Sequence, residues 1–230
     1  MKFGILGTGV VGQTIAEKLS QLGHQVMMGT RDKQTTLAKT GKNNFGRPAL
    51  SEWLKNNVKI QLGTFSEVGA FGEVLVNATN GFGTMPALEA VGKINLAGKV
   101  MIDISNPLDF SKGMPPTLFI SNTDSLAEQI QRTYPDTKVV KALNTMNACI
   151  MTNPKLLPEP TSVFLNGNDS DAKNEVKKLL MSFGWNDQDI IDMGDISTAR
   201  GTEQILPIWI RLWGKLQTPM FNFKIVVGDK

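Results

Sequence analysis

Short runs of apolar residues alternate with stretches whose apolar positions recur every three or four residues, almost from end to end of the chain. The runs at 2–6, 25–29, 58–62, 73–79, 99–105, 137–143, 162–167 and 189–194 read as strands, several apolar throughout as strands buried on both faces are. Between them lie helical patterns at 11–23, 33–39, 50–57, 64–72, 84–94, 124–134, 170–184 and 197–216. In the first, Val11, Ile15, Leu19 and Leu22 fall on one face and Gly23 stops the helix; Ser51 is placed to cap the third. The tail 221–226 reads as an edge strand, and the polar stretches 41–48 and 106–117 read as loops. Strands alternating with helices imply parallel pairing through right-handed crossovers. The expected fold is α/β: a Rossmann-type, doubly wound, mostly parallel sheet with a small C-terminal α/β extension. Prolines cluster near the end of 144–161, so the expected parts are 1–144 and a smaller unit, 145–230.

Composition narrows the chemistry. With 230 residues, 41% apolar and 20% charged, the chain is long enough for one sizeable domain and is not of disordered type. A formal charge of +3 comes from scattered Lys and Arg, so neither nucleic acid nor a membrane is an expected partner. "ILPIWIRLW" is interrupted by Arg211 and too short to span a bilayer, and the N-terminal stretch lacks a signal-peptide pattern. A cytoplasmic location is expected. One cysteine, Cys149, rules out an internal disulfide and a multi-cysteine metal site; one histidine, His24, rules out a multi-histidine metal site. No metal is expected.

"GILGTGVVGQTIAEKL" carries the strongest motif. Gly7, Thr8, Gly9, Val10, Val11 and Gly12 form a GxGxxG set between a strand and an amphipathic helix. Gly7 would allow the tight turn, Gly9 the close approach of a pyrophosphate, and Gly12 the packing of helix on strand, with the helix amides facing the anion. The next strand ends in "MMGTRDK". A lone acid at that place would hold both ribose hydroxyls of NAD and repel a 2′-phosphate. Thr30 offers a hydroxyl there, Arg31 a planar charged fork, and Lys33 further positive charge; Asp32 is expected to cap the following helix. Charged hydrogen bonds are worth roughly 1.5–3 kcal/mol each, so two would shift preference by about two to four decades. The expected cofactor is NADP (NADPH).

The strand ends near 77–80 and 105–107 should open on the same crevice. Ala78, Thr79 and Asn80 would lie against the pyrophosphate and the nicotinamide-side ribose. Ser105, Asn106 and Pro107 would lie near the nicotinamide, where Asn106 could hold its carboxamide. Asp103, within a strand, would need buried partners and is not expected to act as a base. Trp209 and Trp213, four apart, read as core or as the contact surface of a homodimer.

Through "GILGTGVVGQTIAEKLSQLGHQVMMGTRD", "VVKALNTM", "GNDSDAKNEVKKLLMSFGW" and "DISTARGTEQILPIWIRLW" the chain resembles the NADP oxidoreductases that use the deazaflavin coenzyme factor 420. The cytosolic domain of the six-transmembrane metalloreductases looks related. The resemblance implies a nicotinamide stacked on a flat hydride acceptor, in a pocket shared between the first domain and a small C-terminal part. Asn144, Thr145, Met146 and Asn147 would form its floor, and Pro207 with Ile208 would close it. Stacked hydride passage needs positioning more than a side-chain acid, so no catalytic residue is assigned. Two departures stand out: Asn144 replaces a histidine of the deazaflavin enzymes, and "NGFGTM" replaces a Trp-Glu-His stretch.

The expected function is hydride transfer between NADPH and a small-molecule redox acceptor, a deazaflavin or flavin-like ring. The rivals are an NADPH-binding sensor without turnover and a reductase of a small carbonyl or imine.

Overall fold

The computed structural model describes residues 1–41 and 48–228, so most of the loop expected over 41–48 lies outside the described residues. The chain opens with β1 (Lys2–Leu6), α1 (Val10–Gln21) and β2 (Gln25–Thr30). It continues through α2 (Lys33–Leu37), α3 (Leu50–Lys55), β3 (Ile60–Thr64), α4 (Phe65–Phe71) and β4 (Val74–Asn77). Next come α5 (Gly81–Val91), α6 (Lys93–Leu96), β5 (Val100–Asp103), the two-residue strands β6 (Leu108–Asp109) and β7 (Thr117–Leu118), and α7 (Leu126–Thr133). The rest comprises β8 (Lys138–Ala142), α8 (Ala148–Thr152), β9 (Val163–Gly167), α9 (Ser170–Phe183), β10 (Ile190–Asp192), α10 (Ala199–Gln204) and α11 (Leu206–Leu216).

Eight of the strands form one sheet in the order β10-β9-β8-β5-β4-β1-β2-β3. All neighbours run parallel except β8 and β9, which are antiparallel. The expected doubly wound, mostly parallel α/β sheet is present. Strands from residue 163 onward extend this sheet past β8. Side chains alternate across it, as the pleat requires. Phe3, Ile5, Val76, Ile102 and Val140 join Ile15, Ile150 and Val176 in one core cluster, while Leu6, Leu75, Met101 and Val139 join Val68, Leu88 and Ile130 in the other.

β1 lies between β2 and β4, and the chain leaves it on one side and returns on the other. That reversal opens a crevice beyond the carboxyl ends of β1 and β4, the place where such sheets take ligands.

Several expectations are revised. The helix expected over 197–216 is two, α10 and α11, meeting at Ile205. Pro207, in the first turn of α11, has no N–H for the Glu203 carbonyl, and its ring crowds that carbonyl, so one helix cannot run through. The tail 221–226 is not a strand. It is hooked to the start of β9, where the Ser162 amide donates to the Phe223 carbonyl (2.8 Å) and the Ile225 amide to Ser162 Oγ (3.0 Å). The helix expected from 84 begins at Gly81, because Asn80 Oδ1 accepts from the Gly83 amide (2.7 Å) and sets the start three residues earlier. The loop 106–117 contains β6 and leads into β7, a pair too short to show periodicity.

Candidate functional site

The turn from β1 into α1 is built on its glycines. Gly7 has φ +113°, and a Cβ there would lie 2.6 Å from the Ala78 carbonyl oxygen. A Cβ on Gly12 would lie 2.4 Å from the Gly7 carbonyl oxygen, so only glycine lets α1 sit this close to β1. Gly9, the N-cap of α1, is different: a Cβ there meets nothing within 4 Å. Its open side lies where the first α1 amides, left without intrahelical acceptors, point outward. Thr8, Val10 and Val11 complete this rim. Behind it, Gln13 Nε2 donates to the Thr8 carbonyl (3.0 Å), while Gln13 Oε1 is buried with no partner.

At the end of β2, the Thr30 hydroxyl lies 2.6 Å from the Thr36 hydroxyl. One proton serves that pair, and the other remains to be given. Asp32 caps α2 as expected, accepting from the Thr35 amide (2.6 Å), which holds its carboxyl below the ordinary value. Lys33 pairs with Glu67 (3.0 Å), whose carboxyl is held low first by the Thr64 amide and then by Lys33. Lys33 is thus already engaged with a carboxylate. Arg31 is exposed and has no carboxylate partner among the described residues.

The other side of the crevice is tied together from beneath. Asn77, fully buried at the end of β4, donates Nδ2 to Asp103 Oδ1 (2.8 Å) and accepts from the Thr79 hydroxyl (2.6 Å). Asp103 also accepts from the Ser105 amide (3.1 Å) and hydroxyl (2.7 Å). Lys141, opposite Asp103 in the β5–β8 register and 0% exposed, is paired with Asp103 and Glu203, each at 2.8 Å, and donates to the Ser105 carbonyl. Burial pulls the Lys141 ammonium down, but the two carboxylates outweigh it and hold it above its ordinary value. Glu203 in turn accepts from the Leu126 and Ala127 amides at the start of α7 (2.9 and 3.1 Å). These contacts fix the Ser105-Asn106-Pro107 turn. Asn106 Nδ2 donates to the Asn144 carbonyl (2.9 Å), and Asn144 Nδ2 donates to Asn106 Oδ1 (3.0 Å). The structure therefore joins the expected nicotinamide end to the expected acceptor floor.

Within that floor Asn144, Thr145 and Met146 are buried, and Asn147 caps α8 by accepting from the Cys149 amide (2.9 Å). The floor begins at Leu143, a non-glycine residue at φ +64°. Asn144 Nδ2 also reaches the Thr202 carbonyl (3.1 Å) on α10, just ahead of Pro207. Trp209 is buried against Phe221 and Trp213.

Lys141, Asn77 and Glu203 escaped the sequence reading. A lysine inside the apolar run "TKVVKAL", one strand from Asp103, is a signal for the first; Glu203 gives none, since its role exists only after folding.

A crystal structure of a protein from Arthrobacter sp. FB24, described as a proposed F420-dependent NADP-reductase, is 54% identical, covering 99% of this chain and 100% of that one, with TM-score 0.93. The chain belongs to the F420-dependent NADP oxidoreductase family. The profile "NADP oxidoreductase coenzyme F420-dependent" matches residues 2–107, from β1 to the Ser105-Asn106-Pro107 turn. The F420-dependent NADP reductase of Methanothermobacter marburgensis is 27% identical over 216 residues, 92% of each chain. The rat metalloreductase STEAP3 is 25% identical over 213 residues; the match takes in 90% of this chain but only 38% of that protein's length. Family membership makes this an NADP-dependent oxidoreductase. Among the described residues no helix is long and apolar enough to cross a membrane, and no cluster of His, Cys, Asp or Glu could hold a metal ion.

Proposed function

We propose that the protein binds NADP(H) across the β1–β4 crevice and passes hydride between its nicotinamide and a planar acceptor, a deazaflavin or flavin-like ring. The residues suit the cofactor. Gly9 leaves open space at the mouth of α1, and the start of α5 brings a second helix N-terminus to the same end of the sheet. Gly7, Thr8, Gly9, Val10, Val11 and Gly12 would hold the pyrophosphate, with Ala78, Thr79 and Asn80 facing it across the crevice. Ser105, Asn106 and Pro107 would carry the nicotinamide end. The observation that supports NADP most directly is at the end of β2. The one carboxylate that follows it at once, Asp32, is turned into a helix cap, while Arg31 is left uncommitted. Thr30 and Lys33 would assist.

The bound nicotinamide supplies the hydride chemistry; the chain supplies alignment and exclusion of water. Asn144, Thr145, Met146 and Asn147 would form the floor for the acceptor, and Pro207 would close it from the start of α11. Residues 145–230 would thereby complete a pocket that 1–144 begins. The reaction then needs no histidine, and His24 lies at the opposite end of the sheet, one residue before β2. A homodimer would form through α11 and the tail, where Ile208, Leu216 and Ile225 are each about half exposed.

Arg31→Ala tests the reading. Calorimetry is expected to show NADPH binding weakened by about one to two decades, from the loss of one charged hydrogen-bonding group, with NADH binding little changed. An equal loss for both dinucleotides would remove the role given to Arg31.

A further inference from the structure

The rim of the crevice carries aromatic surface that none of the roles above uses. Phe82, in the first turn of α5, is 61% exposed and stacks on Phe119 with ring centroids 4.3 Å apart and planes 20° from parallel. The pair is not free to wander. The Phe119 amide donates to the Pro107 carbonyl (3.0 Å). Gly81, beside Phe82, is wedged so tightly that a Cβ would lie 2.4 Å from the Asn106 carbonyl oxygen and 2.9 Å from the Phe119 ring. Backbone contacts therefore clamp both rings to the turn that carries Asn106, which is in turn bonded to Asn144 on the pocket floor. The connection between β6 and β7 adds Phe110 and Met114, 55% and 65% exposed.

A polar surface would serve solubility better than four large apolar side chains on one pair of neighbouring segments; a rigid, flat aromatic face beside a redox site suits a flat partner. We infer that the Phe82–Phe119 stack is a shelf for the ring system of the hydride acceptor. This rests on the reading that a planar acceptor meets the nicotinamide beside Asn106. The shelf selects by shape: a fused, uncharged ring can lie offset on Phe82 while its reacting edge reaches inward, whereas a small carbonyl or imine substrate has too little flat surface to gain from it. Phe82 is thus a specificity-determining residue for the acceptor.

The probe is riboflavin, titrated into the NADP⁺-saturated protein and followed by quenching of its fluorescence, an assay that needs no turnover. Phe82→Ala is expected to weaken riboflavin binding about tenfold, the scale of one lost aromatic stacking partner. Phe82→Tyr, which keeps the flat face, is expected to bind as the wild type does. NADPH affinity and melting temperature should be the same in all three. Wild-type protein that leaves riboflavin fluorescence unchanged, or Phe82→Ala that binds it as tightly as wild type, overturns the shelf. The two readings fail separately. Binding that depends on Phe82 without any NADPH oxidation would keep the shelf and remove hydride transfer. NADPH oxidation whose riboflavin KM is unmoved by Phe82→Ala would do the reverse.

Discussion

Replacing Lys141 by methionine, which keeps most of the side-chain volume and removes the charge, tests the buried network at its centre. The ammonium lies 2.8 Å from Asp103 and 2.8 Å from Glu203, with side-chain exposures of 0%, 0% and 2% for the three residues. Removing one partner of a buried pair costs about 3–5 kcal/mol, because the remaining charge stays desolvated. Here two carboxylates are stranded, but neither is left bare. Asp103 keeps Asn77 and Ser105, and Glu203 keeps two α7 amides. The expected loss therefore sits toward the lower end, about 3–4 kcal/mol. In a chain of this length that is roughly 6–16 °C of melting temperature. Since the folded state holds the Lys141 ammonium above its ordinary value, its contribution is present below that value and fades only as pH rises through the folded one. The wild type therefore keeps this contribution in full at neutral pH, where urea unfolding should read the deficit. Adding Glu203→Gln to Lys141→Met removes one stranded charge and should recover part of the loss. A single-variant loss under about 1 kcal/mol, the range of exposed pairs, would refute the idea that this triad is desolvated and coupled.

Two further predictions concern the glycine turn and the assembly. Gly9→Val should leave the chain folded, since nothing lies within 4 Å of the new Cβ, yet remove binding of both NADPH and NADH; Gly12→Ala, with its Cβ forced to 2.4 Å from a carbonyl oxygen, should instead lower the melting temperature by several degrees in unfolding scans. Light scattering at micromolar concentration should return twice the chain mass of 25.1 kDa, and a strictly monomeric value would remove the α11 contact.

What could be read from the sequence was local. The GxGxxG turn lies within six consecutive residues, Asp32 caps the helix that follows it through an amide three residues on, and the alternation of apolar runs and helical faces fixes an α/β sheet. Each of these is settled by near neighbours along the chain. The pocket's support was not visible, because its members come together only through tertiary contacts. Asp103 could be recognised as needing partners, but Lys141 is 38 residues on and Glu203 reaches back 77 residues to the Leu126 amide. Boundaries failed where one residue overrode a pattern. Pro207 cut a helix that its apolar periodicity would have carried through, and Asn80 started one early. Phe82 was passed over because an exposed phenylalanine in a glycine-rich turn looks like nothing until its ring is found lying on another.

The clasp between Asn106 and Asn144 has a consequence of its own. The Asn106 side-chain amide gives an Nδ2 proton to the Asn144 backbone carbonyl and accepts one on Oδ1 from Asn144 Nδ2, and none of these groups can gain or lose a proton anywhere near neutrality. The link between the turn at Asn106 and the segment starting at Asn144 is therefore electrically silent, its bonds holding equally well in an acidified or an alkaline medium. Charge enters the support of the site one layer down, in the Lys141 triad beneath the Ser105 turn.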